Sequence, residues 1–528
     1  MDDFTQPTPA EQSQEGRQML RRPDPGSRRA ATITLLLLIP ALIVVVALQQ
    51  LSVAAGGSQL EETAKAEVVP PAAGDAFTLV SKMMVKFDAL LTDLSQSGGQ
   101  PQPQSRAVGG ADFMTNVDTM AASPSEKLRA VIVAAQLVGT DDIESRLQGT
   151  ANATLEATIG SFTGSEDDDG SGSGLSIEAS TMLLDDLTTL DRIYKGRSIN
   201  DDARDGLIER HGWFGELALA HGDDAALEPL VGGGALLLTL LALAGGVMLL
   251  AFVGGFVVLI LAIVYAATGK LKARFVPPLP GGSVYLETFA VFVLGFMLLQ
   301  AAGAALSLAM TPESAAVATM AMQWLLLLTI AWPLVRGVPR KVWREQMGMV
   351  APRGVFREIG AGVVGYMAGV PLYFGAAALS MLLIVLREFI VGAVQQSQGG
   401  DPAPVVGPSG PVNPVFEMVS GQGVVGLVVL ASLVVLWAPI VEELVMRGAL
   451  YRHLRGRLHW IVSALVSAML FGVLHQYDVL MLLPVITLGL VFAGVREWRG
   501  SIIGCITGHM LHNATVFGLV VAMLIGLG

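Results

Sequence analysis

Long apolar runs alternate with short polar segments through most of this chain. About nine of these runs approach the roughly 20 residues that a helix needs to cross a bilayer. The pattern predicts an all-α fold, a polytopic transmembrane helical bundle of about nine spans. The predicted spans are residues 33–48, 231–267, 284–310, 316–335, 360–386, 424–447, 461–480, 482–495 and 501–527.

One long region interrupts this pattern, because residues 51–230 contain no apolar run of spanning length. Helical patterns recur within it, over residues 75–94, 123–139 and 176–194. The second pattern begins with Ser-Pro-Ser-Glu, which is a capping box with proline at the first helical position. Residues 165–174 have the composition of a flexible acidic linker. We therefore expect residues 51–230 to form an acidic, mostly helical extracytoplasmic domain.

The distribution of basic residues predicts the orientation of the chain. Arginines and lysines cluster at the ends of the apolar runs, and nearly all clusters fall on one side of a nine-span topology, as cytoplasmic loops require. Residues 1–30 are predicted to be a disordered cytoplasmic tail, and residues 31–50 a signal anchor. A cleaved signal peptide is the alternative, because Val53-Ala54-Ala55 resembles a small-residue cleavage site.

The composition agrees with an integral membrane protein and excludes other classes. The chain is 52% hydrophobic, with a mean hydropathy of +0.58 and a formal net charge of −12. No basic patch with interleaved aromatic residues is present, so nucleic acid is not an expected partner. The single cysteine, Cys505, excludes an intramolecular disulfide. The transmembrane helices and loops before the last apolar runs occupy residues 231–420.

Ionisable residues enter the apolar runs after residue 421. Glu442, Glu443 and Arg447 form Glu-Glu-x-x-x-Arg inside a predicted span. A charge at the centre of a bilayer costs about 2.5–3.5 kcal/mol on insertion scales, so such residues are candidates for function. Adjacent helical residues lie about 100° apart, so the two carboxylates have different roles. Glu443 precedes Arg447 by four residues and is expected to pair with it, which leaves Glu442 facing a polar cavity.

Two further motifs follow in later predicted spans. Phe471 and His475 are four residues apart and share a helix face, and histidine can transfer a proton near neutral pH. His509 and Asn513 have the same spacing, and an imidazole and an amide directed at one point can stabilise an oxyanion. Each motif alone is also typical of helix packing, but three in order favour one common site.

The three motifs resemble those of the CPBP family, which comprises the CAAX prenyl proteases and the bacteriocin-processing (Abi) intramembrane proteases. The likeness covers about residues 421–522 and does not extend to the N-terminal half. It implies that residues 421–522 are a CPBP/CAAX protease-like intramembrane catalytic domain with endopeptidase activity. Polar residues that only pack, in a non-catalytic bacteriocin-immunity, scaffold or transporter-like membrane protein, are the alternative.

The resemblance also implies roles for individual residues. Glu442 and His475 would activate a water molecule, His509 and Asn513 would stabilise the oxyanion, and Glu443 would belong to the same catalytic group. The family is often called metalloprotease, so a divalent metal such as zinc held by Glu442, His475 and His509 is one implied mechanism. The chain lacks a His-Glu-x-x-His zinc motif, and we favour the glutamate-type mechanism.

The resemblance and the domain organisation together imply partners and a location. The expected substrate is a membrane-embedded protein or peptide within the lipid bilayer, and the extracytoplasmic domain is expected to bind a further partner. A large acidic extracytoplasmic domain is more typical of bacterial members of the family. We therefore expect an integral protein of the bacterial inner (plasma) membrane with a cytoplasmic N-terminus.

Overall fold

The structure is a computed structural model that describes residues 21–66, 68, 71, 75–97, 105–121, 123–163, 175–397, 419, 424–475 and 477–527. Their regular elements are helices, with no β-strand among the described residues, so the predicted all-α fold is confirmed. The predicted linker over 165–174 lies outside this part of the chain.

The α-helices are α1 Arg28–Ala66, α2 Ala76–Ser97, α3 Ser105–Met120, α4 Pro124–Leu137, α5 Ile143–Thr163, α6 Ile177–Tyr194, α7 Asp201–His211, α8 Trp213–Leu219, α9 Asp224–Val231, α10 Gly234–Ala267, α11 Val284–Ser307, α12 Pro312–Met322, α13 Trp332–Val335, α14 Arg340–Met347, α15 Val355–Ser397, α16 Val424–Ala431, α17 Ala438–Glu443, α18 Tyr451–Arg455, α19 Trp460–Val473, α20 Leu482–Arg499 and α21 Ile503–Leu527. Two 3₁₀ segments, Gln323–Ala331 and Val479–Met481, and two π segments, Ser432–Trp437 and Leu444–Leu450, connect some of them.

Eight helical stretches of the described chain are long and apolar enough to cross a membrane. They cover residues 28–47, 224–267, 284–307, 314–335, 355–394, 424–455, 479–499 and 503–527. The ninth predicted span, residues 461–480, corresponds to α19, which has 14 residues. At 1.5 Å per residue α19 is about 21 Å long, which is shorter than a hydrocarbon core of about 30 Å.

Large apolar side chains cover the outer surfaces of the spanning helices. Leu250 on α10 is 74% exposed to the space around the protein, and Leu298 on α11 is 72% exposed. Surfaces of this kind would be unfavourable in water but match hydrocarbon. Together with the spanning lengths, they identify the chain as an integral membrane protein.

The described contacts divide the chain into two compact units. The membrane unit comprises Met1–Val53, Gly246–Arg387 and Gly423–Gly518. The acidic unit comprises Ala54–Gly245, Glu388–Gln422 and Leu519–Gly528. Within the membrane unit, α11 packs along the π segment Leu444–Leu450. Helices from 231–420 and from 421–522 therefore share the membrane unit.

Helix α4 lies at the centre of the acidic unit. Its capping box is confirmed, since the Ser123 amide donates to Glu126 Oε2 at 2.8 Å and the Glu126 amide donates to Ser123 Oγ at 3.2 Å. The apolar side chains Leu128 and Ile132 are 0% and 1% exposed. Gly139 follows the helix with φ +98°, a conformation that glycine adopts without strain. Surrounding helices α2 to α9 complete this core.

A buried charged cluster joins α4, α6 and α7 within the acidic unit. Arg210 donates from Nε to Asp186 Oδ2 at 2.8 Å and from Nη2 to Oδ1 at 2.5 Å. The His211 ring lies between two partners, with Nε2 at 3.1 Å from Asp186 Oδ2 and Nδ1 accepting from Arg129 Nε at 3.4 Å. Because Nδ1 accepts, Nε2 carries the hydrogen and donates it to Asp186. His211 therefore has a structural role, and it is fully buried.

The predicted disordered tail over residues 1–30 is wrong for residues 21–30. Residues 22–27 are irregular, with bends at Arg22, Pro25 and Gly26, and α1 begins at Arg28. Asp24 is buried in an ion pair with Arg452, with Arg452 Nη2 2.7 Å from Asp24 Oδ1. The polar, proline-containing composition resembles disorder, but a counter-charge distant in sequence holds the segment in place. Residues 1–20 lie outside the described part of the chain.

Candidate active site

The helix that carries Glu442 and Glu443 is irregular, and its sequence explains why. Residues 424–455, which we call the glutamate helix, pass through two π segments on either side of α17. Pro439 has no amide hydrogen and cannot close a normal helical turn. The Ala438 amide bonds to the Leu433 carbonyl, five residues back, which is the π register. Single π turns inside α-helices are frequent at functional sites.

Glu443 and Arg447 form a buried ion pair on the glutamate helix. Arg447 Nη1 donates to Glu443 Oε1 at 3.1 Å, and both side chains are 0% exposed. Arg447 Nη2 donates to the Gly489 carbonyl on α20 at 3.0 Å. The guanidinium also lies over the Phe471 ring, 4.5 Å from its centroid. These contacts fix Arg447 to three helices, and Arg447 fixes one oxygen of Glu443.

His509 on α21 lies between the two glutamates. Its Nδ1 is 3.1 Å from Glu443 Oε1, and its Nε2 is 3.9 Å from Glu442 Oε2. The imidazole stacks on Phe492 at a centroid distance of 5.2 Å and meets the Phe471 ring edge-on at 5.8 Å. Glu443 therefore binds both a guanidinium and an imidazole through the same oxygen, Oε1.

Several buried polar atoms at this centre have no hydrogen-bond partner among the described residues. They are Glu442 Oε2, Glu443 Oε2 and Arg447 Nε. An unpaired carboxylate oxygen in a low-dielectric environment costs free energy that a bound water or substrate group can offset. The Glu442 side chain is 21% exposed, whereas that of Glu443 is fully buried. Glu442 is thus the more accessible carboxylate of the pair.

His475 follows α19 directly instead of lying inside a longer helix. Its Nδ1 is 2.7 Å from the Phe471 carbonyl, an atom near the helix end that lacks a regular helical donor. A carbonyl oxygen only accepts hydrogen bonds, so Nδ1 carries the hydrogen and the neutral ring presents a lone pair on Nε2. The Phe471 ring contacts both His475, at 4.8 Å, and His509, at 5.8 Å. Both histidines therefore adjoin the same aromatic side chain.

The short loop after His475 is fixed at several points. Tyr477 stacks on the His475 ring, with centroids 6.0 Å apart and planes 8° apart. Asp478 forms an ion pair with Arg387 at 3.3 Å. Ser380 Oγ on α15 donates to the Leu480 carbonyl at 2.6 Å. The loop that carries His475 is therefore attached to α15, which restricts the orientation of the imidazole.

Asn513 contacts the glutamate helix through its side-chain amide. Asn513 Nδ2 donates to the Val434 carbonyl at 2.8 Å. In the π register the amide that would bond to this carbonyl belongs to residue 439, which is proline and has no hydrogen to give. Asn513 supplies the missing donor, and its second Nδ2 hydrogen stays available for another acceptor.

His512, three residues after His509 on α21, packs away from the two glutamates. Its ring contacts Tyr373 at 5.0 Å and Tyr366 at 6.1 Å, both on α15. No described contact joins it to the two glutamates. His512 is therefore a packing residue between α21 and α15.

The residues present do not match a metal site. Among the described residues, no group of three histidine, cysteine, aspartate or glutamate side chains has the spacing that holds a metal ion. His509 and His475 each use Nδ1 in a described contact, with Glu443 and with the Phe471 carbonyl, an arrangement that is itself compatible with ligation through Nε2, so the absence of a third described ligand decides. A tetrahedral zinc site needs three protein ligands within about 2.3 Å of one point. We therefore derive no metal-dependent step.

The structure brings Glu442, Glu443, Arg447 and His509 into direct proximity and places His475 beside them through Phe471. Asn513 connects α21 to the glutamate helix, but its observed partner is the main-chain carbonyl of Val434. Sequence reasoning missed the aromatic support of Phe492 and the carbonyl of Gly489. The glycine at position 489 was the feature of the sequence that could have marked this contact. In the structure, a Cβ at Gly489 would lie 2.9 Å from Ala468 Cβ and 3.1 Å from Arg447 Nη2. Only glycine permits that approach of α20.

The fold and this cluster define an integral membrane protein with a cluster of polar and ionisable side chains among its spanning helices. Residues 424–515 match the family model for Rce1-like type II CAAX prenyl endopeptidases. This segment is similar to that family, so the expected resemblance is confirmed for residues 424–515. The match covers the three motifs but not the acidic unit. No curated protein and no solved structure matches the chain in the same comparisons.

Proposed function

We propose that this protein is an intramembrane endopeptidase of the glutamate type, with Glu442 as the general base. The observation that carries the proposal is the buried Oε2 atom of Glu442, unpartnered among the described residues and 3.9 Å from His509 Nε2. A water at about 2.8 Å from each atom fits this separation. Glu442 is also the less constrained glutamate, because Glu443 is occupied by Arg447 and His509.

His475 assists the activation of this water in the proposed mechanism. Its Nδ1 hydrogen is directed to the Phe471 carbonyl, so Nε2 is the basic nitrogen. The proton of the attacking water passes to Glu442 or His475 as its oxygen bonds to the substrate carbonyl carbon. The same proton then reaches the leaving amine, and the carbon–nitrogen bond breaks. The products are a carboxylate and an amine.

His509 and Asn513 stabilise the oxyanion in this proposal. In its protonated form His509 donates through Nδ1 to Glu443 and presents Nε2–H on the side of Glu442. Asn513 has one hydrogen on the Val434 carbonyl, which orients the amide and leaves the second hydrogen for the substrate oxygen. Donors that are fixed before the reaction stabilise developing charge without reorganisation.

The substrate that we propose is a membrane-embedded protein or peptide, because the site lies among spanning helices. The proposed location is the bacterial inner membrane with the N-terminus in the cytoplasm. Arg452, Arg455 and Arg457 lie together at one end of the glutamate helix, and Arg496 and Arg499 lie at the same end of α20. Basic clusters of this kind mark the cytoplasmic ends of spans. The acidic unit then lies outside and binds a further partner.

The test compares protein termini in native membranes of cells with the wild-type protein and with Glu442→Ala. We expect new termini in membrane proteins with the wild type, and their loss in the variant at equal protein abundance. Glu345→Gln on α14 is the control, since no described contact joins this glutamate side chain to the cluster. Identical termini in all three strains would remove the peptidase assignment and favour polar residues that only pack.

A further inference from the structure

A short segment before the first spanning helix is built into the membrane unit. Residues 21–27, which we call the N-terminal segment, lie against residues 279–284 that precede α11. The Leu279 amide donates to the Arg21 carbonyl at 2.9 Å, and the Ser283 and Val284 amides both donate to the Pro25 carbonyl, at 3.0 and 3.1 Å. These three bonds satisfy main-chain donors at the start of α11.

The fit between the two segments depends on glycine. Gly282 has φ +61°, and a Cβ there would overlap the Asp24 carbonyl oxygen. Gly26 has φ +101°, and a Cβ there would overlap Ser283 Oγ. Ser283 Oγ in turn accepts from the Ser27 amide at 3.3 Å. Close contact and positive φ at two glycines indicate a specific interface.

Asp24 is the charged centre of this interface. Arg452 donates from Nε at 2.9 Å and from Nη2 at 2.7 Å to Asp24 Oδ1, and the two side chains are 1% and 2% exposed. The guanidinium also lies over the Tyr285 ring at 5.5 Å. Removal of one partner from a buried ion pair leaves an uncompensated charge, which is strongly destabilising. Asp24 is therefore a buried counter-charge of Arg452.

Arg452 links the N-terminal segment to the proposed active site through one helix. It lies ten residues after Glu442 on the glutamate helix, or about 15 Å along a helical axis. Arg457, just beyond the end of that helix, donates from Nη2 to the carbonyls of Gly281 and Gly282 at 2.7 and 2.8 Å. The end of the glutamate helix is thus held by the N-terminal segment and by the loop that the segment covers.

We propose that the N-terminal segment is a permanent part of the membrane unit and that Asp24 is a positioning residue, which sets the position of Glu442 through Arg452. The positioning role rests on the proposed function. The permanent attachment does not. Cleavage after the first helix would remove Asp24, the described counter-charge of the buried Arg452, together with the three main-chain bonds of the N-terminal segment, so the geometry favours a retained anchor over a cleaved signal peptide.

The first experiment tests attachment without any substrate. Hydrogen exchange and intact mass are measured on the purified full chain. We expect slow exchange of the Leu279, Ser283 and Val284 amides, faster exchange in Asp24→Asn, and a mass that includes residues 21–27. Arg22→Gln is the matched control, because Arg22 lies in the same segment with an exposed side chain, and it should exchange as the wild type. Rapid exchange of these amides, or a mature chain without residues 21–27, overturns the proposal.

The second experiment tests positioning. Asp24→Asn and Arg452→Gln should each lower kcat by about 10- to 100-fold with KM nearly unchanged, since a small misplacement of a catalytic group has effects of this size. The double variant should recover most of the lost rate, because it buries no unpaired charge and keeps an amide–amide contact. Full kcat in both single variants, or no recovery in the double variant, overturns the positioning role. Absence of Glu442-dependent proteolysis in the wild type would instead reject the proposed function, with the exchange result unaffected.

Discussion

The chain buries two clusters that are built from the same residue types, an acid, arginines and a histidine. In the acidic unit, Arg210 and His211 together engage both oxygens of Asp186, and Arg129 engages the other ring nitrogen of His211. None of these side chains has a buried polar atom left without a partner among the described residues. This closed network has no free acceptor for a ligand and serves the fold.

The cluster in the membrane unit is similar in composition but is left open. Glu443 binds both Arg447 and His509 through Oε1 alone, so its Oε2 has no described partner. Glu442 makes no hydrogen bond to a described residue, and His509 Nε2 lies 3.9 Å from its Oε2. Unsatisfied polar atoms in a buried site are costly, and they persist where they bind a water or a substrate. The two clusters therefore share residue types but differ in the number of described partners, and the proposed reactivity of the open cluster depends on that difference.

The largest expected effect that tests this contrast is on catalysis. Glu442→Gln keeps the shape of the side chain but removes the base, and it should lower kcat by about 10²- to 10⁴-fold, the usual contribution of general base catalysis. Its melting temperature should stay close to that of the wild type, because Glu442 makes no described hydrogen bond. Kinetics and thermal unfolding of purified protein in detergent check both. A variant that unfolds early but cleaves normally would make Glu442 a structural residue.

The matching change in the closed network should act on stability alone. Asp186→Asn leaves Arg210 with a weaker acceptor in a buried site and should lower the unfolding free energy of the acidic unit by about 3–5 kcal/mol. Asp185→Asn is the control, since this neighbouring carboxylate is exposed. Denaturant unfolding followed by hydrogen exchange in peptides of α6 and α7 measures the effect. Equal stability of the two variants would mean that the network is not closed.

Lower pH should also reduce the contribution of the closed network to the stability of the acidic unit. Burial holds the pKa of His211 below its ordinary value, and the nearby Arg129 and Arg210 act in the same direction against Asp186. The unfolded chain then takes up a proton first, so stability falls as pH drops below about 6.5, by at most about 1.4 kcal/mol per pH unit. Unfolding of wild type and His211→Gln between pH 7.5 and 5 (about the range of histidine titration) tests this. Parallel curves for the two proteins would exclude His211 as the cause.

The pKa of Asp186 predicts a second loss at lower pH. Burial alone would raise this pKa, but hydrogen bonds from Arg210 and His211 outweigh it, and the pKa lies below its ordinary value. The stabilisation is therefore complete above about pH 4 and is lost as the pH falls through the folded pKa. Unfolding free energy measured against pH should therefore show two separate losses, one from His211 and one from Asp186.

The smallest expected effect is that of chelation. Because the described side chains do not form a three-ligand cluster, a zinc chelator should leave peptidase activity of the purified chain unchanged. The control is a known zinc peptidase in the same buffer. Loss of activity that added zinc restores would replace the glutamate-type mechanism with a metal-dependent one.

Local patterns predicted much of the fold and several residues of the polar cluster. Span positions followed from apolar runs, and the Ser123–Glu126 capping box followed from four residues. The spacing of Glu443 and Arg447 predicted the pair that the structure contains. These features depend on neighbours within one or two helical turns, so they can be predicted from the sequence.

Other features depended on partners that are far apart in the chain. Asp24 and Arg452 are separated by 428 positions, and nothing local marks them as a pair. The contact of Asn513 with Val434 follows from a π register, which becomes visible only when Pro439 is placed within the helix. His475 lies beyond the end of α19 because its own side chain bonds to a carbonyl at that end.

The open cluster is tested most directly by an experimental density map of the wild-type protein in lipid, at a resolution that locates ordered water. The account predicts a water within about 2.6–3.2 Å of Glu442 Oε2 and close to His509 Nε2. A map in which a protein donor binds Glu442 Oε2, as Arg210 and His211 bind Asp186, would contradict it.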